Sequence, residues 1–176
     1  MKFLACAALI GGIAMASAAQ ASDGTINFTG SVTGNTCTVT NDPVALPPVA
    51  KSNLNADGQV TGQTPFAIKL TGCTDGALAK AQLTGAVKAY FEPGTTVDLA
   101  TGRLKVSGGT TTATNVQLQL LNSNGTVIKI GDPSTITGAT LASGAATLNY
   151  AVRYYATGAA TAGTANSSVT YSIVYQ

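Results

Sequence analysis

Thr25-Ile26-Asn27-Phe28-Thr29-Gly30-Ser31-Val32-Thr33 alternates without a break. Ile26, Phe28 and Val32 share one face with Gly30, while Thr25, Asn27, Thr29, Ser31 and Thr33 are polar on the other. A period of two is that of a β-strand with one face buried. The strand stands at the very start of the expected mature chain, where segments fray unless something holds them. Two readings are open from the pattern. It is the first strand of a self-contained sandwich, or it completes a sheet in a neighbouring copy.

Residues 1–21 read as a signal peptide. Lys2 supplies the positive start, Phe3 to Met15 is nearly all apolar, and Ala19-Gln20-Ala21 fits the small-x-small cleavage rule. The mature chain is therefore expected to begin at Ser22. The apolar run is too short to span a bilayer. Leu4-Ala5-Cys6 faintly resembles a lipoprotein site, but almost no apolar stretch precedes it, so Cys6 leaves with the leader.

What remains of the 176 residues is the length of one domain with a sizeable core. Losing Lys2 lowers the formal charge from +2 to about +1. So weak a balance argues against nucleic acid or anionic lipid as partners. Cys37 and Cys73 remain, and in an exported chain that pair reads as one disulfide. Two thiols alone do not build a structural zinc site.

Beyond the leader, helical periodicity is nearly absent, and alternating runs are separated by Gly, Asn, Asp and Pro clusters. This composition predicts an all-β sandwich. Cys37 to Thr40 continues the opening pattern to a turn at Asn41-Asp42-Pro43. Leu46-Pro47-Pro48-Val49 lacks two backbone donors and reads as an edge or connection. Further strands are expected over Pro65–Cys73, Gly85–Phe91, Arg103–Val106, Asn115–Leu121, Thr147–Ala156 and Ser168–Gln176. Asn122-Ser-Asn-Gly125 predicts a hairpin turn with Thr126–Ile130 pairing back, and Ile136–Ala146 reads as a loop.

Enzymatic chemistry has little to work with. The chain contains no histidine, hence no usual general base or imidazole ligand. Its carboxylates (Asp23, Asp42, Asp57, Asp75, Glu92, Asp98 and Asp132) are scattered singly, several beside Gly or Pro where Asp is an ordinary turn residue. No catalytic residue, metal or cofactor is expected. Asn27, Asn124 and Asn166 head glycosylation-like triplets that read as coincidence.

Read together and in order, the motifs resemble a known family. Gly30 in an alternating strand lies seven residues before Cys37, and Pro65-Phe66-x-Ile68-x-Leu70 precedes Cys73. Gly102-Arg103-Leu104, Tyr150 to Tyr154, Gly163 at the fourteenth place from the end and the penultimate Tyr175 follow. The mature chain resembles the subunits of Gram-negative chaperone–usher fimbriae, close to the major pilins of type 1-like pili.

That resemblance implies an incomplete immunoglobulin-like β-sandwich, completed by donor-strand exchange. Residues 22–34 would be the donor extension and 35–176 the pilin domain. The donated side chains would be Ile26, Phe28 and Val32, with Gly30 where the floor lies too close for a Cβ. Val169, Tyr171, Ile173 and Tyr175 would form the acceptor groove and the chaperone-binding strand, with Gly163 at the turn before it. Implied partners are copies of the chain itself, a periplasmic pilus chaperone, an outer-membrane usher and other pilins, including a tip adhesin. The implied location is a fimbrium on the cell surface, reached through the periplasm. Two other readings differ: a minor or adaptor pilin of the same pathway, and a secreted carbohydrate-binding β-sandwich. The second lacks tryptophan, and most tyrosines are in phase with strand interiors.

Overall fold

Alternating apolar residues at 66, 68 and 70 and at 148, 150, 152 and 154 build the two longest strands, and these pair with each other at the centre of the larger sheet. The computed structural model describes residues 34–75, 81–82 and 84–175. The expected leader and donor residues Ile26, Phe28, Gly30 and Val32 lie outside that range. Among the described residues the strands are β1 (Asn35–Asn41), β2 (Val60–Asp75), β3 (Ala81–Gln82), β4 (Gly85–Phe91) and β5 (Val97–Asp98). They continue as β6 (Arg103–Lys105), β7 (Val116–Asn122), β8 (Ala139–Leu141), β9 (Ala146–Ala156) and β10 (Tyr171–Tyr175).

One sheet runs β1-β2-β9-β7-β6-β5 with β3 on β2, and the other β10-β4-β8. Every ladder is antiparallel. The inner faces meet through Ile68, Leu70, Val87, Phe91, Leu118, Leu120, Leu148 and Val152, all buried. Tyr150 ties the sheets by its polar tip as well as its ring. Its hydroxyl accepts the Ala89 N–H at 3.3 Å and donates to the Thr137 carbonyl at 3.1 Å, while its ring meets Phe91 edge-on. Burial pushes this hydroxyl's pKa up, so it keeps its proton.

Four expectations need correction. The stretch Ile136–Ala146 is not all loop: Ala139–Leu141 forms β8 on the edge of β4, and Leu141 is buried. Three residues rich in Ala and Thr carry too little alternation to show this. Thr126–Ile130 does not form a strand. Its first half does pair back on β7, through the Asn122 N–H to the Thr126 carbonyl, the Ile128 N–H to the Leu120 carbonyl, both at 2.9 Å, and the Leu121–Val127 bridge, before Gly102 takes the Ile130 N–H and leads the chain away. The last strand begins at Tyr171, leaving Ser168–Thr170 outside it. The strand read from Pro65 is also longer, starting at Val60, because a register shift between Thr61 and Thr64 lets it continue past Gly62.

What replaces a ladder after β7 is Asn122, 1% exposed. Its amide nitrogen donates to Thr126 Oγ1 at 2.9 Å and the Thr135 carbonyl at 2.8 Å. Its oxygen accepts from the Thr137 N–H at 2.8 Å and Oγ1 at 2.9 Å. Asn122→Ala removes four hydrogen bonds to part-buried or exposed partners, each worth about 0.5–1.5 kcal/mol net. Its expected cost is about 3 kcal/mol in chemical denaturation, and a loss below 1 kcal/mol would mean the loop is held elsewhere.

Candidate functional site

Among the described residues β10 is paired on one edge only. In an antiparallel pair, residues that exchange bonds with the partner alternate with residues whose N–H and C=O point away from it. Thr170 is of the first kind, its carbonyl accepting the Glu92 N–H at 2.9 Å. With Tyr171 opposite Phe91 and Tyr175 opposite Val87, the backbone groups of Tyr171, Ile173 and Tyr175 face the other edge. Among the described residues no strand pairs there. These same residues pack their side chains, with Val169, against the core.

Beside that edge lies a cleft of about 460 Å³. Phe66, Ile68, Phe91, Leu118, Leu120 and Val152 floor it. Ser167–Tyr171 forms one wall, and Asn41–Val44 with Leu46 forms the other. The slot therefore runs between the strand at the chain's end and the strand that carries Cys37. Two tyrosines reach across it. Tyr171 donates its hydroxyl to Asn41 Oδ1 at 2.9 Å. Tyr175 approaches Cys37 Sγ at 2.8 Å and is the donor there, because the disulfide sulfur has no proton. Burial raises the Tyr175 pKa, keeping it a donor at neutral pH.

The approach to β10 is stapled along its length. Ala113 N–H donates to the Thr164 carbonyl and Thr164 N–H to that of Thr111, at 2.9 and 2.8 Å. Ser107 N–H bonds the Asn166 carbonyl at 2.8 Å, and Thr96 Oγ1 that of Ser168 at 2.7 Å. Gly163 lies in this segment. Its φ is outside the left-handed region, so no tight turn requires glycine here. What requires it is space, since a Cβ would collide with Ala113 N and Thr111 O.

Cys37 and Cys73 are bonded, with Cα atoms 4.1 Å apart, and pin β1 to β2. The bond fixes the outer wall of the slot. Sequence reasoning placed the floor residues inward without seeing that they line an opening, and it missed Asn41. An Asn-Asp-Pro run reads only as a turn. Tyr155, out of phase with Tyr150 and Tyr154, is half-buried on the outer sheet face under the Arg103 guanidinium, 3.5 Å from its ring centre. Among the described residues no three His, Cys, Asp or Glu side chains gather to hold a metal.

Two antiparallel sheets with an open slot at the inner edge of the last strand make an incomplete immunoglobulin-like sandwich, the class of the chaperone–usher pilins. The family model described as FimA, type-1 fimbrial protein, A, matches residues 46–176. The major fimbrial subunit SMF-1 of Stenotrophomonas maltophilia is 47% identical over 90% of this chain and 95% of its own length. The F17 fimbrial protein of Escherichia coli is 42% identical over 93% of each. The crystal structure of the P pilus rod subunit PapA shares the fold, with a TM-score of 0.60 at 20% identity over 80% of this chain and 99% of that one. The chain belongs to the type-1 fimbrial protein family and is a structural subunit of a fimbrial shaft.

Proposed function

We propose that residues 22–34 of each copy fill the slot of the next, so that the shaft grows head to tail. The observation that carries this reading is the unpaired edge of β10 above an apolar cleft. An open strand edge beside an apolar cleft invites aggregation, and strand addition is the direct remedy. Before assembly a periplasmic chaperone lends the strand. An outer-membrane usher then passes the subunit outward to join other pilins and a tip adhesin at the surface.

An antiparallel donor sets Ile26 beside Tyr175, Phe28 beside Ile173, Gly30 beside Tyr171 and Val32 beside Val169. This direction puts the one donor residue without a Cβ where the Tyr171 side chain crosses to Asn41. It also sends Val32 between Val169 and Leu46, which stand on the two walls of the slot. Burying Ile26, Phe28 and Val32 is worth about 5–9 kcal/mol together, with about 0.5–1.5 kcal/mol for each main-chain bond. Such a contact is heterologous and does not close on itself, so it yields a filament. Its persistence is a rate, governed by the barrier to stripping a buried strand.

Gly30→Leu tests the arrangement. It is expected to leave chaperone-bound monomer at its normal level and to abolish fibres, counted by electron microscopy. Adding Tyr171→Ala should restore part of the yield. Normal fibres from the single variant would overturn the tight site, and no restoration would reverse the strand direction.

A further inference from the structure

The back of the slot's floor carries positive charge that its own chain leaves unanswered. Leu118, Leu120 and Val152 line the slot. By alternation Gln117 and Gln119 stand on the outer face of the same sheet, opposite Tyr155 and Arg153 respectively. Arg103 and Lys105 share that face, with Leu104 buried between them. The Arg103 guanidinium lies over the Tyr155 ring and donates to Gln117 Oε1 at 3.3 Å. Its Nε is buried and has no partner among the described residues. Arg153 donates through Nε and Nη2 to Gln119 Oε1, at 2.9 and 2.7 Å. Gln119 is 5% exposed, and its amide nitrogen donates no bond among the described residues.

Asp98 is the carboxylate that stands opposite Arg103. One of its oxygens takes the Ala100 N–H at 3.1 Å and the other the Gln117 amide at 2.9 Å, so it reaches Arg103 only through that amide. Both guanidiniums are half-buried, and among the described residues their hydrogen bonds go to neutral amide oxygens alone. A cation partly withdrawn from water is costly without an anion beside it. The planar fork of a guanidinium matches a carboxylate. The chain itself supplies such groups, with 7 Asp and Glu against 9 Lys and Arg. Among the described residues Asp42 and Asp57 are exposed. Neither carboxylate accepts a bond there, unlike those of Glu92, Asp98 and Asp132.

We propose that the Arg103–Gln119–Arg153 cluster receives a carboxylate from a neighbouring copy in the shaft. That carboxylate accepts from the unspent guanidinium N–H groups and from the Gln119 amide nitrogen. Within a shaft, the molecules that meet this face at the highest effective concentration are further copies of the chain. Unanswered cations on one face and free carboxylates elsewhere make the copies complementary to one another. Such a contact is heterologous, the kind that a polar fibre repeats. It lies behind the slot and uses no donor-strand residue, so it adds a lateral link that stiffens the shaft.

The test uses fibres assembled on cells from the full chain. Arg153→Lys keeps the charge and offers an amine that a water-soluble carbodiimide joins to a carboxylate in contact with it. Treated fibres of this variant are expected to give several-fold more dimer that survives boiling in detergent than fibres of Arg153→Gln. The peptide recovered from that dimer should join position 153 to an acidic residue. Dimer no more abundant than in Arg153→Gln would overturn the contact. Arg103→Gln combined with Arg153→Gln provides a second arm. Its shafts should be more flexible in electron micrographs, and added salt should loosen unaltered shafts in the same way, as screening requires. Double-variant shafts as stiff as unaltered ones would also overturn the proposal. Polygalacturonate bound by unaltered fibres and lost in Arg153→Gln would show a cluster open to an outside acid, and would overturn the neighbouring copy as its occupant. All these variants are expected to build fibres in normal number, unlike Gly30→Leu, which keeps this contact separable from the donor strand.

Discussion

A chain lacking residues 22–34 is expected to fold around an added peptide of residues 25–33 and to build no fibre at all. The slot belongs to the described domain, between β10 and the Asn41–Leu46 wall, so its ability to accept a strand survives the cut. The ability to donate one does not. Mixed with intact chain, the shortened form should be taken up at one end only and stop growth there. Mean fibre length should then fall as the reciprocal of its fraction, a dependence that separates capping from general misfolding. Peptide binding should raise the melting temperature in a concentration-dependent way, as mass action requires. A shortened chain that is compact and durable with neither chaperone nor peptide would show that the slot needs no occupant. Normal fibre length in mixtures would show that the extension is not the link.

Most of the sandwich was legible because its strands alternate strongly. Val87, Ala89 and Phe91, and Leu148, Tyr150, Val152 and Tyr154, are inward as their spacing demands. The elements that escaped are held by something other than alternation. β8 is three residues borrowed by the edge of β4. The return after β7 pairs back only as far as Ile128 and is then held by one buried asparagine, where alternation alone predicted a strand to Ile130. The same limit applies to the site. Val169, Tyr171, Ile173 and Tyr175 announce an apolar face, yet period two does not distinguish a closing strand from one with an empty neighbour. That distinction came from residue motifs in order; among the described residues no strand pairs with the outer edge of β10. Tyr171 meeting Asn41 across 130 residues of sequence is a tertiary fact with no local trace.

Replacing both Cys37 and Cys73 with serine is expected to lower the periplasmic level of the subunit at least tenfold. The bond closes a sequence separation of 36 residues, which on the chain-entropy model is worth about 4 kcal/mol. That is roughly three decades in the ratio of folded to unfolded chain. It is also a large share of the ~5–15 kcal/mol that holds an ordinary domain together. β1 has little else to hold it. Thr36, Thr38, Val39 and Thr40 are all exposed, and among the described residues β2 is its only ladder partner. Without the bond the outer wall frays from β2, and Tyr175 loses the disulfide sulfur that now accepts its hydroxyl. The damage is therefore local to the acceptor slot before it is global. Saturating donor peptide should recover much of the loss, because an occupied slot supplies β1 with contacts on its open side. A level within twofold of wild type would make the bond dispensable, and a loss that peptide leaves untouched would place its effect away from the slot.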